Sequence, residues 1–89
     1  MTLTDHAVRK SSARNLSPDV IQGALDHPCI QGYVRGHYRW NVARAVLNGV
    51  WRFVMVIWRE VESDQLVITA YPVQGRKTIG GKFSIGLWN

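Results

Sequence analysis

The chain predicts an α+β fold, with two N-terminal helices packed on an antiparallel sheet of four to five strands. Three observations carry this. Two capped amphipathic segments occupy residues 4–28. After Pro28 the apolar spacing changes from helical to runs rich in β-branched and aromatic residues. Asn48-Gly49 then joins the two longest of these runs, and that dipeptide is the strongest short hairpin signal. Helices in one block followed by strands in another argue for an α+β domain.

The first helix is TDHAVRKSSAR, residues 4–14. Thr4 is placed to cap it, and Asp5 lies at the positive end of its dipole. Ala7 and Val8 supply a thin apolar stripe. His6, Arg9, Lys10 and Arg14 recur at spacings near three and four, so several share a face. Residues 15–16 are a short link. Ser17-Pro18-Asp19 starts the second helix with a cap residue, a proline at the first helical position and an acid in the first turn. Val20, Ile21, Ala24 and Leu25 form its apolar stripe. Asp26-His27-Pro28 ends it, because the residue before proline avoids helical geometry. His27 reads as a cap whose charge the dipole favours.

Strands are expected over Ile30–Arg35, His37–Leu47, Val50–Val61 and Gln65–Tyr71, the last stopped by Pro72. The third is apolar on both faces through its middle, which marks it as central. Trp40 and Trp51 flank the hairpin, and one of them is expected under the helices, with Trp51 assigned to the core. Gly80-Gly81 in the tail suits a small terminal hairpin or a pinned loop.

Eighty-nine residues make one domain, residues 1–89. The net charge is +5 with a pI near 10, and the cations are spread along the chain. This balance favours an anionic partner: nucleic acid, a membrane surface or an acidic protein. Cys29 is the single cysteine, so there is neither a disulfide framework nor a zinc-ligand set, and its expected place is in packing. Phe53–Trp58, the longest strongly apolar run, is too short to span a bilayer. MTLTDHAVRK lacks the apolar core of a signal peptide. The expectation is a chain with no membrane span, compatible with a reducing cytoplasm.

No metal motif, phosphate loop, dinucleotide fingerprint or nucleophile elbow is present, so no cofactor and no metal are expected. Carboxylates are few and scattered. What remains is His, Arg, Lys, Thr and Tyr, an inventory that suits metal-free cleavage of RNA, where the 2′-hydroxyl is the nucleophile. Such cleavage needs a base, cations around the phosphorane and a proton for the leaving oxygen. His6 is the leading acid or base, since histidine exchanges protons near neutral pH. Arg9, Lys10, Arg14, His37 and Arg39 are candidates for phosphate contact. Tyr33, Tyr38, Trp40 and Trp51 offer either stacking surfaces or core. Thr69 and Tyr71, two apart on a strand, present their hydroxyls on one face.

Three stretches together resemble a known family. They are Asp5-His6-Ala7 with Arg14, LSPDVIQGALDHP (16–28) and LVITAYP (66–72). In order and spacing they are similar to small bacterial domains grouped with the barnase–EndoU–colicin–RelE (BECR) toxin-like ribonucleases. The resemblance covers residues 4–73 and leaves 74–89 as a C-terminal extension. It implies a BECR/RelE-like sheet, metal-independent cleavage of tRNA or mRNA, and neutralisation by an acidic immunity protein or antitoxin. It implies action in the cytoplasm, by a free toxin or one delivered from another cell as part of a larger protein. By position it makes His6, Arg14, Thr69 and Tyr71 the catalytic set, with Arg39 on the basic strand. Ser11-Ser12-Ala13 stands where the family carries more charge. Two other readings fit the charge: a non-catalytic nucleic-acid-binding module, and a basic protein-interaction or inhibitor domain.

Overall fold

The computed structural model describes residues 1–34 and 37–73. A short strand, β1 (Thr2–Leu3), precedes helices α1 (Asp5–Ala13) and α2 (Pro18–Asp26). Then come β2 (Ile30–Val34), β3 (Tyr38–Leu47), β4 (Val50–Val61) and β5 (Asp64–Val73). Among the described residues these make an α+β unit with one sheet in the order β1-β5-β4-β3-β2. β2 to β5 form an antiparallel meander. β1 runs parallel to β5 through Thr2↔Leu66 and Leu3↔Val67. The sheet is therefore mixed, not purely antiparallel as expected. Two residues are too few to show strand alternation, and the connection that parallel pairing requires runs through both helices and the strands β2 to β4.

Local chemistry sets the ends of each element. Thr4 Oγ1 accepts the Ala7 N–H at 3.1 Å and caps α1. At the other end the Leu16 N–H reaches the Ser11 carbonyl at 2.8 Å, and the Asn15 N–H reaches Ser12 at 3.2 Å. Asn15 takes φ 57°, so this is a Schellman ending with asparagine in the left-handed place usually given to glycine. It turns the chain, buries Leu16 and leaves Arg14 as the C-cap. Asn48 and Gly49, at φ 52° and 77°, make the tight turn between β3 and β4. Glu62 and Ser63 make the next one at φ 49° and 66° without a glycine. Between Ile57 and Trp58 the β4–β5 pairing slips, leaving Ile68 as an extra residue on β5.

β4 is the spine of the core. Val54, Val56 and Trp58 pack with Ala7, Leu16, Ile21, Ala24 and Leu25 beneath the helices. Met55 and Ile57 point the other way, into a second cluster with Val42, Tyr71 and Val73. Three expectations change here. The tryptophan under the helices is Trp58, while Trp40 joins the second cluster and Trp51 is 64% exposed at the hairpin end. Cys29 is exposed, not packed. Pro72 does not stop β5, which continues to Val73; β1 reaches only Val67, so along this outer edge a missing N–H breaks no pairing. Trp40 lies against Gly32 so closely that a Cβ there would meet its ring at 2.7 Å. The hairpin proposed around Gly80-Gly81 lies outside the described residues.

Asn41 joins the layers. Its Nδ2 donates to the carbonyls of Ala24 and Leu25, at 3.1 and 3.3 Å, in the last turn of α2. Its Oδ1 accepts the Trp58 indole N–H at 3.0 Å. Asn41→Leu strips partners from these buried groups, each costing roughly 1–3 kcal/mol. The expected loss is about 3 kcal/mol in urea unfolding, with an unchanged slope. Asp64 gives a second prediction. The Thr2 hydroxyl and the Met1 ammonium, the latter at 2.9 Å, bond its carboxylate and lower its pKa to about 2. A depressed carboxylate stabilises the fold above its ordinary range and loses that contribution as pH falls to about 2. Asp64→Asn should therefore be less stable than wild type at pH 6, and the difference should vanish near pH 2 in thermal melts.

Candidate functional site

Beyond Leu3 the outer edge of β5 has no strand beside it among the described residues, and α1 supplies the missing partners. The Thr4 N–H donates to the Val67 carbonyl at 3.0 Å, and the Thr4 hydroxyl to Ile68 at 3.3 Å. Arg14 Nη1 donates to the Ala70 carbonyl at 2.8 Å. The same guanidinium stands 5.6 Å from the centre of the Tyr71 ring. A residue at the end of α1 is thus brought onto the end of β5. The reason is local: the Schellman turn stops α1 at Arg14, and Ser11 and Ala7 on its buried face seat the helix against the sheet.

Thr69 and Tyr71 share the sheet face opposite the helices, since their partners are Ile57 and Met55 of the second cluster. Thr69 is 2% exposed, and its Oγ1 has no hydrogen-bond partner among the described residues. Tyr71 is also buried, and this burial raises its pKa, an effect the Arg14 charge opposes. The phenol is therefore a neutral donor at physiological pH. His6 is exposed in the first turn of α1, and no hydrogen bond joins it to Arg14 or Thr69. Eight residues of helical rise separate it from Arg14, about 12 Å along the axis. Arg9 and Lys10 are exposed on the same helix.

The other candidates gather elsewhere. Arg39 pairs across the sheet with Trp58, so it lies on the helix-bearing face, near the β2 edge. β4 separates β3 from β5, which puts their axes about 10 Å apart. Arg39 stands 5.3 Å from the Tyr33 ring centre and 5.2 Å from that of Trp58. A cleft of about 350 Å³ is lined by Gln31, Gly32, Tyr33, Arg39, Asn41 and Trp58. A neighbouring one of about 310 Å³ adds His37 and Glu60, with the Glu60 carboxylate 3.8 Å from Arg39. His37 sits in the turn before β3 rather than on the strand. The structure thus unites Arg14 with Tyr71, and Arg39 with His37, and leaves His6, Arg9 and Lys10 apart on the exposed side of α1.

Sequence reasoning named Tyr33 as a stacking surface without placing it beside Arg39, and missed Trp58. The signal exists in the register, since Tyr33 lies opposite Arg39, which lies opposite Trp58. That alignment is visible only once both hairpins are set. Among the described residues no group of three His, Cys, Asp or Glu side chains is placed to hold a metal ion, and no helix is long and apolar enough to cross a membrane. Comparison with family models, curated proteins and solved structures finds no match to the chain.

Tyr71 yields a test of this packing. A raised phenol pKa means stability that is fully present below about pH 10 and lost as pH rises through the folded value. Tyr71→Phe keeps the ring and removes the titration. Its thermal midpoint should fall less steeply than that of wild type between pH 9 and 12, and equal slopes would contradict the burial described here.

Proposed function

We propose that the chain is a metal-independent ribonuclease whose phosphate site lies where α1 meets the end of β5. The observation that carries this reading is Arg14 on Tyr71. A guanidinium and a neutral phenol converge there from positions far apart in the chain. Beside them Thr69 Oγ1 is a buried hydroxyl without a hydrogen-bond partner among the described residues. Such a group costs roughly 1–3 kcal/mol, and that cost asks for a reason such as a ligand that completes it. The resemblance of DHA, LSPDVIQGALDHP and VITAYP to the BECR ribonucleases adds support, and so does the excess of positive charge.

In the proposed reaction the RNA 2′-hydroxyl attacks phosphorus and gives its proton to water, because His6, about 12 Å along α1 from Arg14, stands too far to serve the same phosphorus. The bond from phosphorus to the 5′ oxygen breaks, leaving a 2′,3′-cyclic phosphate and a 5′-hydroxyl. Arg14 balances the phosphorane charge with the N–H groups not used on Ala70. Tyr71 gives a proton to the departing oxygen, and the Arg14 cation steadies the resulting phenolate. Thr69 orients a phosphate oxygen. His6, Arg9 and Lys10, exposed on α1, contact the RNA strand away from the scissile phosphate. On this reading tRNA or mRNA is the target, an acidic immunity protein or antitoxin is the natural inhibitor, and the cytoplasm is the place of action.

The test uses purified protein, total RNA and tRNA in EDTA between pH 5 and 8. Wild type should give fragments ending in cyclic phosphate. Arg14→Gln should be slower by at least about 100-fold and His6→Ala by only a few-fold, with thermal melts confirming that both fold. Intact RNA with wild type across that range would end this reading.

A further inference from the structure

We propose that the cleft around Tyr33, Arg39 and Trp58 binds one nucleotide of a single-stranded nucleic acid, its base on Tyr33 and its phosphate on Arg39 and His37. This site lies on the opposite sheet face from Thr69 and Tyr71 and does not depend on cleavage.

Tyr33 is 73% exposed although it belongs to a strand and abuts a cation, so one ring face is open to solvent. A large aromatic kept in water on a paired strand has stacking surface to offer. Arg39 stands beside two rings, an arrangement that engages few of its five N–H donors. Its ion pair with Glu60 is long, at 3.8 Å, and that carboxylate is more than half exposed. Such an exposed pair contributes little, so a phosphate can replace the carboxylate at small cost. His37 lines the same opening as a second phosphate contact. Gln31 is exposed on the rim, with an amide able to meet a base edge.

The floor is fixed. Trp58 is tied to Asn41, and Asn41 to the end of α2, so the ring under Arg39 does not need to be ordered when a ligand arrives. The combination selects the ligand class. A lipid headgroup, or an acidic peptide of Asp and Glu alone, supplies an anion for Arg39 but no flat ring for Tyr33. A nucleotide supplies both, and a base paired in a duplex hides the face that Tyr33 needs.

The experiment measures anisotropy of fluorescein-labelled oligonucleotides of about twelve residues. The probes are 2′-O-methyl RNA and DNA, neither of which carries the 2′-hydroxyl nucleophile, so failure of the ribonuclease reading leaves this test intact. Wild type should bind single strands more tightly than the matching duplex. Tyr33→Ala should weaken single-strand binding by about tenfold while Tyr33→Phe keeps it. Arg39→Gln should weaken it and lower the salt slope by about one. Glu60→Gln should tighten binding severalfold, an effect opposite to that of a merely structural loss. Tighter binding to RNA than to DNA would place the ligand's source in RNA, and the reverse in DNA. Equal affinity of wild type and Tyr33→Ala for both single strands would overturn the proposal. So would an unchanged or weakened Glu60→Gln, or displacement of the probe by an acidic peptide at the same concentration as by unlabelled oligonucleotide.

Discussion

The Asn41 amide holds α2 and the sheet in register, and the Arg39 surface inherits its geometry from it. A buried amide must place its donors and its acceptor or lose stability. Here the donors go to the final carbonyls of α2, which have no partner within the helix, and the acceptor goes to the Trp58 indole. One side chain therefore fixes where α2 stops over the sheet and which way Trp58 lies. Trp58 in turn is the platform for Arg39. The helix layer ends where it does because the last turn of α2 is bonded to β3. The part of the sheet beyond that turn is left for the cleft.

The outer edge of β5 shows the same economy with a different device. An edge strand with free carbonyls invites pairing with another chain. β1 covers two residues of it, and Thr4 and Arg14 take the next carbonyls with a backbone amide, a hydroxyl and a guanidinium. Arg14 is therefore a structural group whatever else it does. That dual character explains why its substitution must be read with a folding control. It also explains how a long flexible side chain acquires a fixed position: the carbonyl, the Tyr71 ring and the adjacent α1 terminus all favour a cation there.

The sequence made the element types legible because each boundary carries its own chemistry. Thr4, Ser17-Pro18, Pro28 and Asn48-Gly49 act within a few residues, and the structure honours all of them. β4 was legible as central because it is apolar on both faces, and both clusters draw on it. What stayed hidden depends on distant pairing. β1 is two residues long and has no pattern of its own. Trp51 looks like core by composition, yet its position beyond the helices leaves it in water against Arg44, at 5.2 Å. Trp58 took the place under the helices because the alternation of β4 puts it on the same face as Val54 and Val56. The separation of Arg39 from Thr69 and Tyr71 onto opposite faces follows from register, and no spacing in the chain records it.

Bulk charge does not account for either surface. The described residues hold seven Lys and Arg and all six Asp and Glu, so most of the net charge of +5 belongs to Arg35, Arg76, Lys77 and Lys82. What distinguishes Arg14 and Arg39 is the company each keeps. Arg14 rests on a carbonyl and a ring, both neutral, and so retains its full charge in a partly buried place. Arg39 is framed by two rings and touched only loosely by a carboxylate. A cation held by neutral partners keeps its orientation without spending its charge, whereas a tight ion pair spends it. Two of the seven described cations meet that condition over a ring that also joins the core, and they are the two on which a phosphate would be bound with direction rather than by diffuse attraction.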